Sequence, residues 1–440
     1  VAVLKLTGAL HRPLRVLPAL LLGMATAFAS PAAPAGGAIT PEAGTANSET
    51  QLAQALDRFV QALERSARTL KADPAFSGDR DSAAGVAYWA QMLIRTLEED
   101  IVQDADFPFF REVDFRIREG GDNPDQRYLF SPLRGGAPYR IWGHKAGERR
   151  LEIQIYAGTP WTAQGGRVVA VLPEEALHVA PDGSFEVLLG GEPRAHNWLA
   201  NPPDSSFVMV RQIYAEWPDT HGDVHIDRVG YEGRLKPGVG AQDMVRRIQR
   251  AAANFEELVP LWPTIGRERF AQQQPNTLSP LFDPTAAGGV EGRWMSLGAF
   301  ELGQDEALIL TMWPLGGNYQ GVQLTDVWTS SLEYANRQTS LTAEQCYRSA
   351  DGAYRYIIAH EDPGVQNWLD TTGLENGYLL LRYDGADRPE VPTSLWPGLT
   401  LTSFSQARAA LPPETPDYSA AARQVAIAQR RRHVQLRFNR

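Results

Sequence analysis

The sequence predicts a mainly β protein with flanking helices (α+β), formed by two tandem duplicated antiparallel β-sandwich or jelly-roll domains. Two observations predict it. Short alternating apolar runs bounded by turn residues recur between Tyr128 and Tyr383, the period of half-buried strands. The stretch DGSFEVLLGGEPRAHNWLANPPDSSFVMVR, starting at Asp182, returns from Asp351 as DGAYRYIIAHEDPGVQNWLDTTGLENGYLLLR, at an offset of 169 to 171 residues. A repeat of this length fixes the architecture before any motif is considered.

The elements follow in order. Residues 1–29 carry Lys5, Arg12 and Arg15, an apolar run from Val16 to Phe28, and small residues at Ala27 and Ala29, the layout of a secretory signal peptide. The run is too short for the ~20 residues a membrane span needs, so no stable membrane insertion is expected after leader removal. Residues 30–49, rich in Ala, Pro and Gly, read as a flexible linker. Residues 50–105 form an N-terminal helical segment, since Leu52, Leu56, Phe59, Val60 and Leu63 share helical spacing and a second such pattern runs from Ala84 to Ile101.

Residues 106–235 form the first sandwich, with strands at Tyr128–Ser131, Tyr139–Trp142, Leu151–Tyr156, Arg167–Leu172, Ser184–Leu189 and Phe207–Gln212. A helical connector at 236–290 is centred on Gln242–Leu258. Residues 291–403 form the second sandwich, with strands at Trp294–Phe300, Ala307–Trp313, Val322–Val327, Ala353–Ala359 and Tyr378–Tyr383. Residues 404–440 are a helical tail.

Composition bounds the function. The chain has 440 residues, 43% of them hydrophobic, enough for full-sized cores and far from disordered or coiled-coil compositions. The net charge is −10, and −13 once the three basic leader residues are removed. Such a chain repels phosphate backbones, so no nucleic acid partner is expected. The basic tail holding Arg430, Arg431, Arg432, Arg437 and Arg440 reads as a solvated helix end. Cys346 is the single cysteine; it cannot form an internal disulfide and reads as a buried structural thiol in a helix-like stretch.

Residues kept in both copies are explained by the shared fold. The Asp182-Gly183 and Asp351-Gly352 pairs supply turns, Asn197-Trp198-Leu199 matches Asn367-Trp368-Leu369, and Arg211 matches Arg382. Residues that differ are free of that explanation. Gly190, Gly191 and Glu192 become His360, Glu361 and Asp362, and Ala200 becomes Asp370, so the second copy has gained a polar cluster.

The runs SLEYANRQTSL, from Ser331, and AHEDPGVQNWLDTTG, from Ala359, resemble the bacterial family called domain of unknown function 1214. The resemblance covers mainly residues 290–385, with a weaker copy at 120–230. It implies a β-sandwich or jelly-roll fold and no settled activity.

The polar cluster supplies the candidate site. His360 with Asp362 or Asp370 has the chemistry of a general acid and base. Arg337, Gln338, Asn367 and Trp368 supply fork-shaped, amide and aromatic groups for a ligand. The plainer reading of these residues is turn capping. In the run from His221 to Asp227 only His225 with Asp223 or Asp227 share a strand face, too few ligands for a metal site. No phosphate loop, G-x-S-x-G elbow, H-E-x-x-H helix or paired C-x-x-C is present. No cofactor and no metal are therefore expected.

Three functions are weighed. An exported protein binding a small-molecule or glycan ligand in a cleft near the junction of the two β domains comes first. A hydrolase using His360 with a neighbouring carboxylate and a non-enzymatic structural or interaction scaffold are the alternatives.

Overall fold

A computed structural model describes residues 43–162, 164–270, 274–285, 289, 292–386 and 390–438. The predicted leader and residues 30–42 of the predicted linker lie outside them. Helix α1 (Ala43–Ala72) begins inside the expected linker, where Ala43 and Ala46 favour helix over coil. Helix α2 (Gly78–Leu97) follows and ends in a π turn at Glu98–Val102. Among the described residues no helix is long and apolar enough to cross a membrane.

The first copy contributes β1 (Arg111–Val113), β2 (Gln126–Pro132), β3 (Tyr139–His144), β4 (Arg150–Gly158), β5 (Gly166–Leu172), β6 (Ser184–Leu189), β7 (Trp198–Leu199), β8 (Phe207–Ile213) and β9 (Asp223–Arg228). Helix α3 (Ala241–Arg269) leads to the second copy: β10 (Thr277–Leu278), β11 (Arg293–Glu301), β12 (Glu306–Met312), β13 (Tyr319–Thr325), β14 (Ser340–Thr342), β15 (Tyr354–Ala359), β16 (Trp368–Asp370), β17 (Asn376–Asp384) and β18 (Gly398–Ser403). The chain continues through α4 (Phe404–Ala407) and α5 (Ala420–Phe438).

The sheets repeat strand for strand. The order β1-β2-β8-β4-β5 in the first copy becomes β10-β11-β17-β13-β14 in the second, and β7-β6-β3-β9 becomes β16-β15-β12-β18. Each copy is thus a five-stranded sheet packed on a four-stranded one, the predicted duplicated sandwich. The pairing is antiparallel except at β6·β7 and β15·β16, which run parallel. In those two places the chain re-enters its sheet through the Asn-Trp-Leu segment instead of a hairpin.

Side-chain alternation explains the layers. In β6 Phe185, Val187 and Leu189 face the core while Ser184, Glu186 and Leu188 do not. The central strands differ, being buried on both faces over nearly their whole length. Val208 and Val210 of β8 face the first sandwich core, and Leu379, Leu381 and Tyr383 of β17 face the second. The opposite faces carry Met209, Arg211 and Ile213, and Tyr378, Leu380 and Arg382. Those outer faces meet, with Ile213 and Ala215 packed on Tyr319, and Thr342 Oγ1 donating to the Ala215 carbonyl at 2.5 Å.

Two helices cover the junction. Tyr88 and Met92 of α2 pack with Phe255 and Val259 of α3 and with Trp328. Helix α3 runs eleven residues past the predicted end at Leu258, through Pro260 and Pro263. Pro263 cannot donate to the Val259 carbonyl, and the Tyr88 hydroxyl does so instead at 3.2 Å, which lets the helix continue.

The C-terminal helix overturns the expected solvated basic end. Arg423, Arg430 and Arg437, spaced seven apart, share one face of α5 and are all buried; Arg431 and Arg432 are exposed, and Arg440 lies outside the described residues. Arg430 donates to the Tyr334 and Ser340 carbonyls at 2.9 and 3.0 Å and lies over the Trp217 ring. His433 sits 3.0 Å from His221 and 2.9 Å from the Pro218 carbonyl. Helix α5 thereby bridges both copies.

Candidate functional site

The seven residues singled out from the sequence lie around β15 and β16, and the structure gives each an internal partner. His360 Nδ1 is 2.7 Å from Thr371 Oγ1 and hydrogen bonds to neither candidate carboxylate. Asp362 accepts from Arg423 Nε of α5 at 3.0 Å. Asp370 is buried and takes a two-pronged contact from Arg337, at 2.6 and 2.9 Å. Gln338 donates to the Trp368 carbonyl and accepts from Arg423, both at 2.6 Å.

Asn367 and Trp368 act as their counterparts do in the first copy. Asn367 exchanges bonds with the Tyr347 backbone at 2.8 and 2.7 Å, and Asn197 does the same with His178 at 2.8 and 2.7 Å. Trp368 Nε1 donates to the Ala359 carbonyl, as Trp198 Nε1 does to that of Gly190. Of the polar residues gained by the second copy, Asp362 holds α5 and Asp370 holds Arg337. His225 and Asp223 sit on the exposed face of β9, and among the described residues no cluster of His, Cys, Asp and Glu could hold a metal. Cys346 follows a 3-10 turn rather than lying in a helix, packs against the second core, and its thiol is pushed up by burial.

A different set of residues converges between the two five-stranded sheets. Arg211 of β8 and Arg382 of β17 reach a cavity of about 210 Å³ from opposite copies. Arg293 of β11, Arg111 of β1 and Arg95 of α2 complete its cationic lining, with Tyr128, Phe130, Trp161 and Trp262 beside them. All five arginines are at most 7% exposed.

Their charges are balanced unequally. Arg293 is held by Asp384 through contacts of 2.5 and 2.6 Å, and although burial opposes its charge, Asp384 outweighs burial and raises its pKa. Arg211 has Glu152 at 3.1 Å. Arg382 instead bonds neutral groups, the Gln323 side chain and the Gly121 carbonyl, and has no ion-pair partner among the described residues. Burial, with Arg293 adding to it, holds its pKa below the usual value.

Arg111 is only partly satisfied. Its Nη2 lies 3.5 Å from Glu99, its plane rests on the Phe130 ring, and its Nε and Nη1 are buried without a partner among the described residues. Burial pushes its pKa down, with Arg95 adding to the effect and Glu99 opposing it. Arg95 lies 3.0 Å from Glu119 and 3.4 Å from Glu99, yet its Nε and Nη1 lack hydrogen-bond geometry. The Trp161 indole N–H is likewise buried and has no partner among the described residues. Buried donors of this kind are rare because each loses its water without replacement.

Two acids also line the cavity. Glu119 accepts from Trp262 Nε1 at 3.1 Å. Asp122 accepts from the Ser331 backbone and hydroxyl at 3.0 and 2.7 Å, and burial raises its pKa to about 6. Gly120 and Gly121 let the chain pass closely beneath Trp262 and Leu380. Both have positive φ, 64° and 70°, and a Cβ on Gly120 would lie 2.6 Å from the Trp262 ring.

A larger cleft of about 720 Å³ adjoins this cavity and shares Gly120, Trp161, Trp262, Met295 and Arg382 with it. Its remaining walls are mostly apolar. The Trp161 and Trp262 ring centroids stand 6.2 Å apart, part of the lining of both spaces.

One solved structure shares the fold. A solved, uncharacterised protein from Burkholderia cenocepacia is 26% identical, aligns with 81% of this chain and 99% of its own, and has a TM-score of 0.74. A second solved protein, from Vibrio parahaemolyticus, is 12% identical over 72% of this chain and 98% of its own, with a TM-score of 0.42. No curated protein matches the chain. The family resemblance falls on the first copy, where the sequence alone had placed the weaker of two: residues 132–218 match the family described as Protein of unknown function (DUF1214).

Proposed function

We propose that this protein binds a small anionic molecule in the cavity between its two sandwiches and does so after export from the cytoplasm. The observation that carries the reading is Arg111, whose buried Nε and Nη1 have no partner among the described residues, in a cavity walled by four further arginines. A planar guanidinium fork suits carboxylate, phosphate or sulfate oxygens, and an arriving anion would replace the hydrogen bonds that burial removed. A neutral glycan would leave Arg382 without a counter-charge and is a poorer fit. The basic, apolar and small-residue sequence of residues 1–29 supports export.

Thermal unfolding in acetate, phosphate or sulfate against chloride at equal ionic strength tests the binding. A ligand at a hundredfold excess over Kd stabilises by about 2.7 kcal/mol, and Arg111→Met abolishes that response. A response identical in all four salts, or unchanged in the variant, rejects the reading. Expression with the leader tests export: the mature mass lacks the first 29 residues, and an intact chain rejects it.

A further inference from the structure

We infer that the ligand is a single-headed amphiphile, a carboxylate at the end of an extended apolar chain. This rests on the anion-binding reading above and deepens it. The arginine cavity, about 210 Å³, holds a head group and little more. The adjoining cleft, about 720 Å³, has the volume of a ligand site in its own right. Trp161, Trp262, Met295 and Arg382 line both spaces, which puts the larger cleft beside a head group held at the arginines and within reach of a chain attached to it.

The cleft's chemistry selects the body of that molecule. Leu261, Ile265, Phe270, Phe282, Leu297 and Leu380 line it. Besides Arg382, its charged lining residues are Glu257, Glu268 and Arg269. Two acids against one further base disfavour a second negative end, so a dicarboxylate is a worse ligand than a monocarboxylate. The arrangement separates head from tail: charge is satisfied in one chamber and apolar surface is buried in the other. Each methylene buried in the cleft raises affinity about fourfold at most.

Calorimetry on the full chain with acetate, hexanoate, decanoate and 1-decanol tests this. Affinity rises with chain length, decanoate binding at least a hundredfold tighter than acetate, and 1-decanol at least tenfold weaker than decanoate. Ile265→Gln, at a partly exposed helix position, reduces decanoate binding at least tenfold and changes acetate binding far less; Arg111→Met weakens both. Acetate and decanoate of equal affinity overturn the amphiphile and leave the anion site standing. If 1-decanol matches decanoate, or no carboxylate binds, the anion site fails and the amphiphile with it.

Discussion

Arg211 and Arg382 occupy equivalent places in the central strands of the two five-stranded sheets, and each donates through Nη1 to a glutamine of the neighbouring strand, Gln154 and Gln323. The duplication has set two copies of one buried cation face to face across a cavity. Their partners then diverge, since Arg211 also has Glu152, whereas the position paired with Arg382 is Gly321.

That divergence separates two substitutions. Arg211→Met strands the fully buried Glu152 and costs about 3–5 kcal/mol. Arg382→Met strands no carboxylate, costs less, and removes the anion response. Urea unfolding of both variants decides the matter; equal losses would show that Arg150, 3.9 Å from Glu152, neutralises it unaided.

Acidity acts on the buried pair Asp122 and Asp326. Burial raises them to about 6 and about 7. Folded-state values above the unfolded ones mean that their contribution is fully present below the ordinary carboxylate range and is lost as pH rises through 6 and 7. Asp326 accepts from the Trp328 and Ser330 backbones, both at 2.9 Å, and an amide oxygen can do the same. Asp326→Asn therefore flattens the fall in urea midpoint between pH 5 and 8, and an unaltered slope would remove Asp326 as its source.

Asp122 also lines the arginine cavity. Its protonation removes a negative charge from the cavity wall, so anion affinity is higher at pH 5.5 than at pH 7.5. Titrations at the two values, repeated with Asp122→Asn, check this, and the variant loses the difference.

Along α5 the buried arginines behave oppositely. Arg423 bonds the exposed Asp362, the buried Gln338 and the Val365 carbonyl, so Arg423→Met leaves two buried acceptors unpaired and costs about 3 kcal/mol. Arg437 has three nitrogens without a hydrogen bond among the described residues and is surrounded by Tyr214, Trp217, Tyr334 and Phe438. Arg437→Met is neutral or stabilising. Thermal midpoints of the two variants, measured side by side, move apart.

Gly120→Ala tests the close passage beneath Trp262. The left-handed backbone costs a residue with a Cβ about 1–2 kcal/mol, and the contact at 2.6 Å displaces the indole. Its emission spectrum shifts relative to the unaltered protein, and an unchanged spectrum would mean that the ring is not held there.

The strands were legible because their apolar runs end at turn residues: Ser184–Leu189 emerged at its observed bounds, and the repeat announced the paired sheets. Short edge strands such as β1, β7 and β16, two or three residues long, carry too little alternation to be read. The cavity was illegible for another reason. Its arginines come from α2, β1, β8, β11 and β17, so no local spacing joins them. The match of Arg211 with Arg382 reads from sequence as a feature of the shared fold; the signal that points to the cavity is a charge inside two otherwise apolar strands, FVMVRQI and YLLLRYD. Likewise the seven-residue spacing of Arg423, Arg430 and Arg437 marks one helix face, which a solvated end does not require.

The bridging role of α5 bears on how the molecule is made. Each sandwich draws its strands from a contiguous stretch of chain, so the first can close while the second is still being synthesised. The helix that fixes one against the other comes after both, and its partners reach back more than 200 residues, as His433 does to His221. Such distant contacts form slowly. During biogenesis there is accordingly an interval in which both halves exist and the arginines between them are still hydrated, and the docking of α5 ends it.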